Sequence, residues 1–218
     1  MACKDTNLGV NNFIVFEGID GSGTTTQIKY LESVFSQRNI SVNFTAEPTE
    51  RPEGKLIRRI LKGELDADPG TVTHLFASDR YQHLYGKGGI FEHLNRGEIV
   101  ICDRYVLSSL AYQGISCGND LPHYLNARFP PPGLTVFFRI EASKAMQRIQ
   151  KRQELEIFEQ LPFQQAVEAA YEAEIAVAIQ SGWKIEILNA EESLENVSHR
   201  LVEIIDQHLS ESAWHRRS

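Results

Sequence analysis

Between an apolar stretch, Phe13-Ile-Val-Phe16, and an amphipathic one that begins near Thr25, the chain places Gly18-Ile-Asp20-Gly21-Ser22-Gly23-Thr24-Thr25-Thr26. Glycines at this spacing let backbone N–H groups converge on an anion, and a helix opening straight after them adds the positive end of its dipole. The chemistry is phosphate binding. A strand before the glycines and a helix after them distinguish a phosphate cradle from a glycine-rich turn that binds nothing. Thr25 stands where such a loop places the hydroxyl that holds Mg2+. Thr24 stands where it carries lysine, so the cation that would bridge the β- and γ-phosphates is missing.

Three further groups have chemical spacing. Asp103-Arg104-Tyr105 follows the apolar run Ile99–Cys102, so Arg104 sits at a strand's C-terminal end, where ligands bind in open α/β sheets. Asp103 has two readings, holding a Mg2+-bound water or orienting the phosphate loop; the plainer alternative is a helix N-cap with a surface salt bridge beside it. Phe76 and Arg80 are four residues apart and share a helix face, so a ring and a guanidinium can reach one flat base, although an apolar residue at helical spacing more often faces the core. "QRIQKRQELEIFEQ" brings Arg148, Lys151 and Arg152 within one turn, with Arg148 and Arg152 on one face. That run reads as a cationic lid or, more plainly, as a solvated charged helix. Lys29 is a poor stand-in for the missing lysine, because at about 100° per residue it lies on a different face from Thr24.

These residues need a scaffold that brings strand ends together. Short apolar runs at 13–16, 40–44, 99–102, 134–140 and 183–188 alternate with longer helical patterns, which predicts βαβ units and a parallel sheet. Ile28, Leu31, Val34 and Phe35 recur at helical spacing after the first strand; Leu194, Val197, Leu201, Ile204, Ile205 and Leu209 do so near the end. Both stripes are expected to face the core. With no internal repeat or Pro/Gly/Ser linker, the 218 residues read as one domain, with polar, flexible ends at 1–10 and 211–218. A formal charge of -7 argues against a broad nucleic-acid or membrane surface. Cys3, Cys102 and Cys117 are odd in number and lack metal-ligand spacing, and no apolar run suits a signal peptide or a bilayer span. A cytoplasmic protein with small partners is expected.

Beyond the glycine loop, "EPT" at Glu47-Pro48-Thr49, "LFASDRYQHL" at 75–84, "DRYVLSSLAYQG" at 103–114 and "NAEESLENV" at 189–197 resemble the thymidylate kinase family over nearly the full length. The resemblance implies an α/β P-loop NTPase fold, with a five-stranded parallel sheet flanked by helices and a mobile lid. It further implies ATP with Mg2+ as donor, dTMP as acceptor and usually a homodimer. By resemblance Gly18, Gly21, Ser22, Gly23, Thr24, Thr25 and Thr26 bind ATP with Asn189 and Ala190, and Thr25 and Asp103 attend the metal. Arg104 binds the acceptor phosphate, Phe76 stacks on thymine, Arg80 hydrogen-bonds its carbonyl and Gln113 assists. Tyr112 lies beneath the sugar, Asp20 nears the 3′-hydroxyl, and Glu47, Pro48, Arg51 and Ser108 complete the acceptor side. The catalytic set is Asp20, Arg104, Arg148 and Arg152.

Departures accompany the resemblance. Thr24 replaces the loop lysine, Ala46 stands where many relatives have an acceptor-phosphate arginine, and Arg139 ends a strand that usually closes with aspartate. Arg51 is the expected substitute for the arginine missing at 46. Relatives lacking an extra loop arginine, whose place Gly21 holds, carry a basic lid residue, so Arg152 and then Arg148 are the expected replacement cations. A nucleotide-binding pseudoenzyme and a kinase for another (deoxy)nucleotide are the alternative readings.

Overall fold

All five residues of Phe13–Glu17 are buried, as expected of a parallel strand covered on both faces. This strand, β1, is the centre of a sheet whose other strands are β2 (Val42–Ala46), β3 (Ile99–Asp103), β4 (Leu134–Arg139) and β5 (Ile185–Asn189). The order is β2-β3-β1-β4-β5, with every neighbouring pair parallel. The computed structural model describes residues 10–149 and 160–215. The helices are α1 (Thr24–Gln37), α2 (Pro52–Leu61), α3 (Pro69–Tyr85), α4 (Ile90–Asn95), α5 (Val106–Cys117), α6 (Asp120–Asn126), α7 (Ala142–Ile149), α8 (Leu161–Gln180) and α9 (Leu194–His215). The expected parallel sheet flanked by helices is therefore present.

Side chains of β1 alternate between two apolar layers. Ile14 and Phe16 pack with Leu31, Phe35, Val197, Leu201 and Ile205, while Phe13 and Val15 pack with Leu84, Ile90 and Leu94. Both predicted helical stripes thus face the core, except Val34, which is half-buried outside the core cluster, and Leu194, which is exposed at the start of α9. β2 lies two residues later than its apolar run suggests. Asn39 takes a left-handed φ of 54° and Ile40 donates its N–H to the Phe35 carbonyl, so Ile40 belongs to the turn that closes α1. β3 and β4 flank β1, and the crevice beyond their C-terminal ends is where ligands sit in open parallel sheets.

His208 on α9 is buried and donates from Nε2 to the Asn11 carbonyl at 2.8 Å, fastening the last helix beneath β1. Burial holds its imidazole pKa below the ordinary value. The neutral ring is favoured on folding, so this stabilisation is complete above the ordinary pKa and is lost as pH falls through the lowered folded value. In denaturant titrations, the stability gap between the wild type and His208→Gln should shrink once pH drops below about 6.5. A gap constant with pH would show that the ring titrates alike in folded and unfolded chains.

Candidate active site

A cavity of about 410 Å³ opens where β1, β2 and β3 end, within the size range of small-molecule sites. The glycine loop forms one wall. Gly21, Ser22, Gly23, Thr24, Thr25 and Thr26 all line the cavity with Asp20. Gly23 is the N-cap of α1, with a left-handed φ of 98°, and no side chain caps this helix. No acidic residue occupies its first turn. The positive end of the helix therefore faces the cavity with no acidic side chain from its own first turn to neutralise it. Gly18 lies behind the loop, where a Cβ would stand 2.7 Å from Ser22 Oγ and 3.1 Å from the Phe138 carbonyl, so its role is close packing.

Thr24 does not imitate lysine. Its hydroxyl donates to Asp103 Oδ2 at 3.2 Å, and the Thr25 hydroxyl donates to the same oxygen at 3.4 Å. Asp103 thus joins the end of β3 to the start of α1 and is no helix cap; the N-cap of α5 is Tyr105. Burial raises the Asp103 pKa, against the opposing pull of Arg104 and the two hydroxyls. Asp103 Oδ1 is buried with no hydrogen-bond partner among the described residues. No group of three or more His, Cys, Asp or Glu side chains able to hold a metal ion occurs among them. A hard divalent ion carried in by phosphates asks for one or two protein oxygens and not a full cage, and Thr25 Oγ1 with the Asp103 carboxylate fits that requirement.

Arg104 has a φ of 70°, a conformation that costs a non-glycine residue about 1–3 kcal/mol and persists only where its surroundings over-determine it. Its N–H donates to the Phe16 carbonyl at 2.8 Å, and its guanidinium turns back over the cavity. There it pairs with Asp20 Oδ1 at 2.5 Å, lies 5.1 Å from the centre of the Tyr112 ring and donates to Ser108 Oγ at 3.4 Å. Asp20 is held from its other oxygen by Gln164 Nε2 at 2.7 Å, and its N–H donates to the Tyr112 hydroxyl at 3.1 Å. Gln164, in the first turn of α8, is fully buried. Nothing in its sequence setting marks it, because only the fold brings α8 to the glycine loop.

The opposite wall comes from α3 and the start of the segment after β2. Phe76, Arg80, Glu47, Pro48 and Ala46 line it, together with Gln113 and Ser108 from α5. Arg80 is 1% exposed and its guanidinium is already engaged. Nε donates to Glu47 Oε2 at 2.8 Å, Nη2 to the Tyr105 carbonyl at 2.9 Å and Ser109 Oγ at 3.0 Å, and Nη1 to Asn126. Glu47 also meets His83 Nδ1 at 3.1 Å, whose Nε2 is 2.7 Å from Thr45 Oγ1. This network braces the wall. Gln113 is 3% exposed, and its Oε1 has no hydrogen-bond partner among the described residues.

Other candidates fall elsewhere. Arg51 does not line the cavity; its Nη2 donates to the Lys87 carbonyl at 2.9 Å. Arg58 of α2 lines the cavity, as Ala46 does, donates to the Pro48 carbonyl and pairs with Glu50 at 3.0 Å. A surface-like "LIRRI" hid it, since either arginine of the pair fits an exposed helix face. Arg148 ends α7 and donates to the Ala190 carbonyl at 2.8 Å, so it stands with Asn189 and Ala190 beyond the cavity. Lys151 and Arg152 lie outside the described residues. Arg139 has a partner, Glu172 of α8, with both nitrogen–oxygen distances 2.7 Å. This exposed fork ties the end of β4 to α8.

Residues 16–201 match the family described as Thymidylate kinase. The chain belongs to that family. It is 36% identical to a thymidylate kinase of Oceanobacillus iheyensis over 91% of each chain. A Treponema pallidum protein whose name carries the words thymidylate kinase is 38% identical, over 88% of this chain and 94% of its own. One of Pyrococcus horikoshii, named "Probable thymidylate kinase", is 37% identical over 90% of this chain and 97% of its own.

Within this thymidylate kinase family member, Gly21 has a φ of 83°, and a Cβ there would lie 2.5 Å from the Ala145 carbonyl of α7. Gly23, with φ of 98°, has nothing within 4 Å of that position. Gly23→Ala should lower unfolding free energy by the left-handed backbone term alone, about 1–2 kcal/mol, and Gly21→Ala by clearly more. Equal losses in chemical denaturation would show that α7 yields to the added methyl.

Proposed function

We propose that this protein transfers the γ-phosphoryl group of ATP to dTMP, giving dTDP, with Mg2+ accompanying the donor. The observation that carries this reading is the single cavity shared by an uncapped helix N-terminus, Arg104, Phe76 and Tyr112. Phosphoryl transfer sets two polyanions end to end, so its main demands are alignment and charge neutralisation.

Donor phosphates lie against the backbone of Gly21–Thr26, with Arg148, Asn189 and Ala190 on the donor's nucleoside side. Thr25 and Asp103 would hold Mg2+, which would supply charge neutralisation at the donor's terminal phosphates. Arg104 takes the acceptor phosphate, exchanging its pairing with Asp20 for a bidentate one with the ligand. Asp20, released on that side but still held by Gln164, is left facing the sugar. Phe76 stacks on the base and the Tyr112 ring closes the space beneath the deoxyribose. With Arg80 committed to Glu47, base recognition falls chiefly to Gln113 Oε1, which has no hydrogen-bond partner among the described residues and is an acceptor suited to the N3–H of thymine. Arg58, not Arg51, supplies the positive charge that Ala46 lacks.

A homodimer and a cytoplasmic setting complete the proposal. Tyr81 and Tyr85 present exposed aromatic surface on α3, and both described cysteines, Cys102 and Cys117, are free thiols. No helix among the described residues is long and apolar enough to cross a membrane.

The decisive test is ATP-dependent conversion of dTMP to dTDP, run against dUMP, dCMP and thymidine. A protein that binds dTMP and ATP but converts no acceptor would be a binding protein on a kinase fold. Phe76→Ala should weaken dTMP binding by about 1–3 kcal/mol in calorimetry, the range for a base stacked on an aromatic ring. Unchanged affinity would remove Phe76 from the base site.

Thr24 sets the expected rate. One preorganised charge contact to a transition state is worth about 10²–10³ in rate, so turnover below the ~1–100 s⁻¹ usual for kinases is expected. Thr24→Lys should raise kcat several-fold in steady-state ATP/dTMP kinetics. Wild-type turnover in the ordinary range, unmoved by this substitution, would show that another cation already fills the gap.

A further inference from the structure

Glu17 is the last residue of β1, fully enclosed, and forms no ion pair among the described residues. Its carboxylate is nonetheless saturated. Oε1 accepts the N–H groups of Tyr105 at 3.0 Å and Ser108 at 3.3 Å; Oε2 accepts the hydroxyls of Ser108 at 2.5 Å and Tyr171 at 3.0 Å. Tyr105 is the N-cap of α5 and carries no capping acceptor of its own. A carboxylate from a neighbouring strand therefore does what a capping box normally does from within the helix, satisfying the N-cap and N3 donors together.

The residue immediately before that cap is Arg104, in its left-handed conformation. Its own N–H is fixed to the Phe16 carbonyl, one residue before Glu17, and the next N–H is fixed to Glu17 itself. β1 thus grips the chain at 104 and at 105, which leaves the strained turn at Arg104 little freedom to relax. Ser108 Oγ, held by Glu17 at 2.5 Å, also accepts Arg104 Nη1 at 3.4 Å, so the same carboxylate steers the far end of the side chain.

We propose that Glu17 is a positioning residue for Arg104, holding the guanidinium where an acceptor phosphate meets it. The inference rests on the reading of Arg104 as the acceptor-phosphate ligand. Glu17 touches no substrate. It acts through the cap of α5 and through Ser108.

The experiment is a double-mutant cycle on the full chain with Glu17→Gln, Arg104→Ala and the combination, measuring calorimetric affinity for dTMP and for thymidine and the KM for ATP. Glu17→Gln keeps the shape and one acceptor oxygen but removes the charge. It should weaken dTMP binding by about tenfold, the effect of ~1.4 kcal/mol, while leaving thymidine affinity and the ATP KM unchanged. Added to Arg104→Ala, it should do nothing further to dTMP. Full additivity in the double variant, or equal losses for dTMP and thymidine, would overturn the proposal and make Glu17 a purely structural group. An Arg104→Ala chain that binds dTMP as the wild type does would instead overturn the reading of Arg104. Should Glu17→Gln not fold, Tyr171→Phe removes one donor to the same oxygen from outside the cavity. It should then weaken dTMP binding in the same selective way, and no change in dTMP affinity would count against the proposal.

Discussion

A fully buried carboxylate that forms no ion pair among the described residues sits at the end of the central strand, and the active-site crevice is built around how it is satisfied. Burying an ionised group is unfavourable unless its lone pairs are filled, and Glu17 fills its own with two backbone N–H groups and two hydroxyls from α5 and α8. Burial still raises its pKa, against the pull of Ser108, Arg104 and Tyr171. Such an arrangement admits little sliding, because any shift of α5 or α8 relative to β1 strands a charge. The three elements that meet there are the ones that carry Arg104, Gln164 and the start of the glycine loop.

Charge around the cavity is organised in pairs. Arg104 faces Asp20, Arg80 faces Glu47, and Arg58 faces Glu50. The first and third pairs are partly exposed, so their exchange for a ligand's phosphate costs little; the second is almost wholly buried and belongs to the wall. Asp103 is the exception, a carboxylate whose side-chain hydrogen bonds among the described residues come from hydroxyls. In a loop with lysine at position 24 an ammonium would stand beside it. Here the balance is left to whatever cation arrives with the donor.

Much of this was legible beforehand because it depends on local pattern. The glycine loop, the fully buried β1 and most of the helical stripes follow from periodicity and backbone stereochemistry and appear where expected, while β2 and β5 each begin two residues later than their apolar runs, Ile40 being consumed by the turn after α1. Asp103, Arg104, Phe76, Tyr112 and Gln113 were legible through motif resemblance, and the fold gathers them in one cavity. What escaped was anything set by long-range contact. Arg51 and Arg58 are indistinguishable as sequence, and only the packing of α2 brings Arg58 to the cavity wall. Gln164 lies 144 positions from the aspartate it holds. Arg139, unexplained on its own, becomes ordinary once Glu172 stands opposite it.

The close approach of Gly21 to the backbone of α7 bears on how the family can diversify. A relative with an arginine at this position needs α7 displaced or its carbonyl turned aside, and the Ala145 carbonyl blocks the first atom of any side chain. The two segments lie far apart in the chain, yet neither is free to change alone. A side chain at position 21 is accommodated only with a matching shift of the Ala145 carbonyl, so the loop and α7 are coupled through this contact.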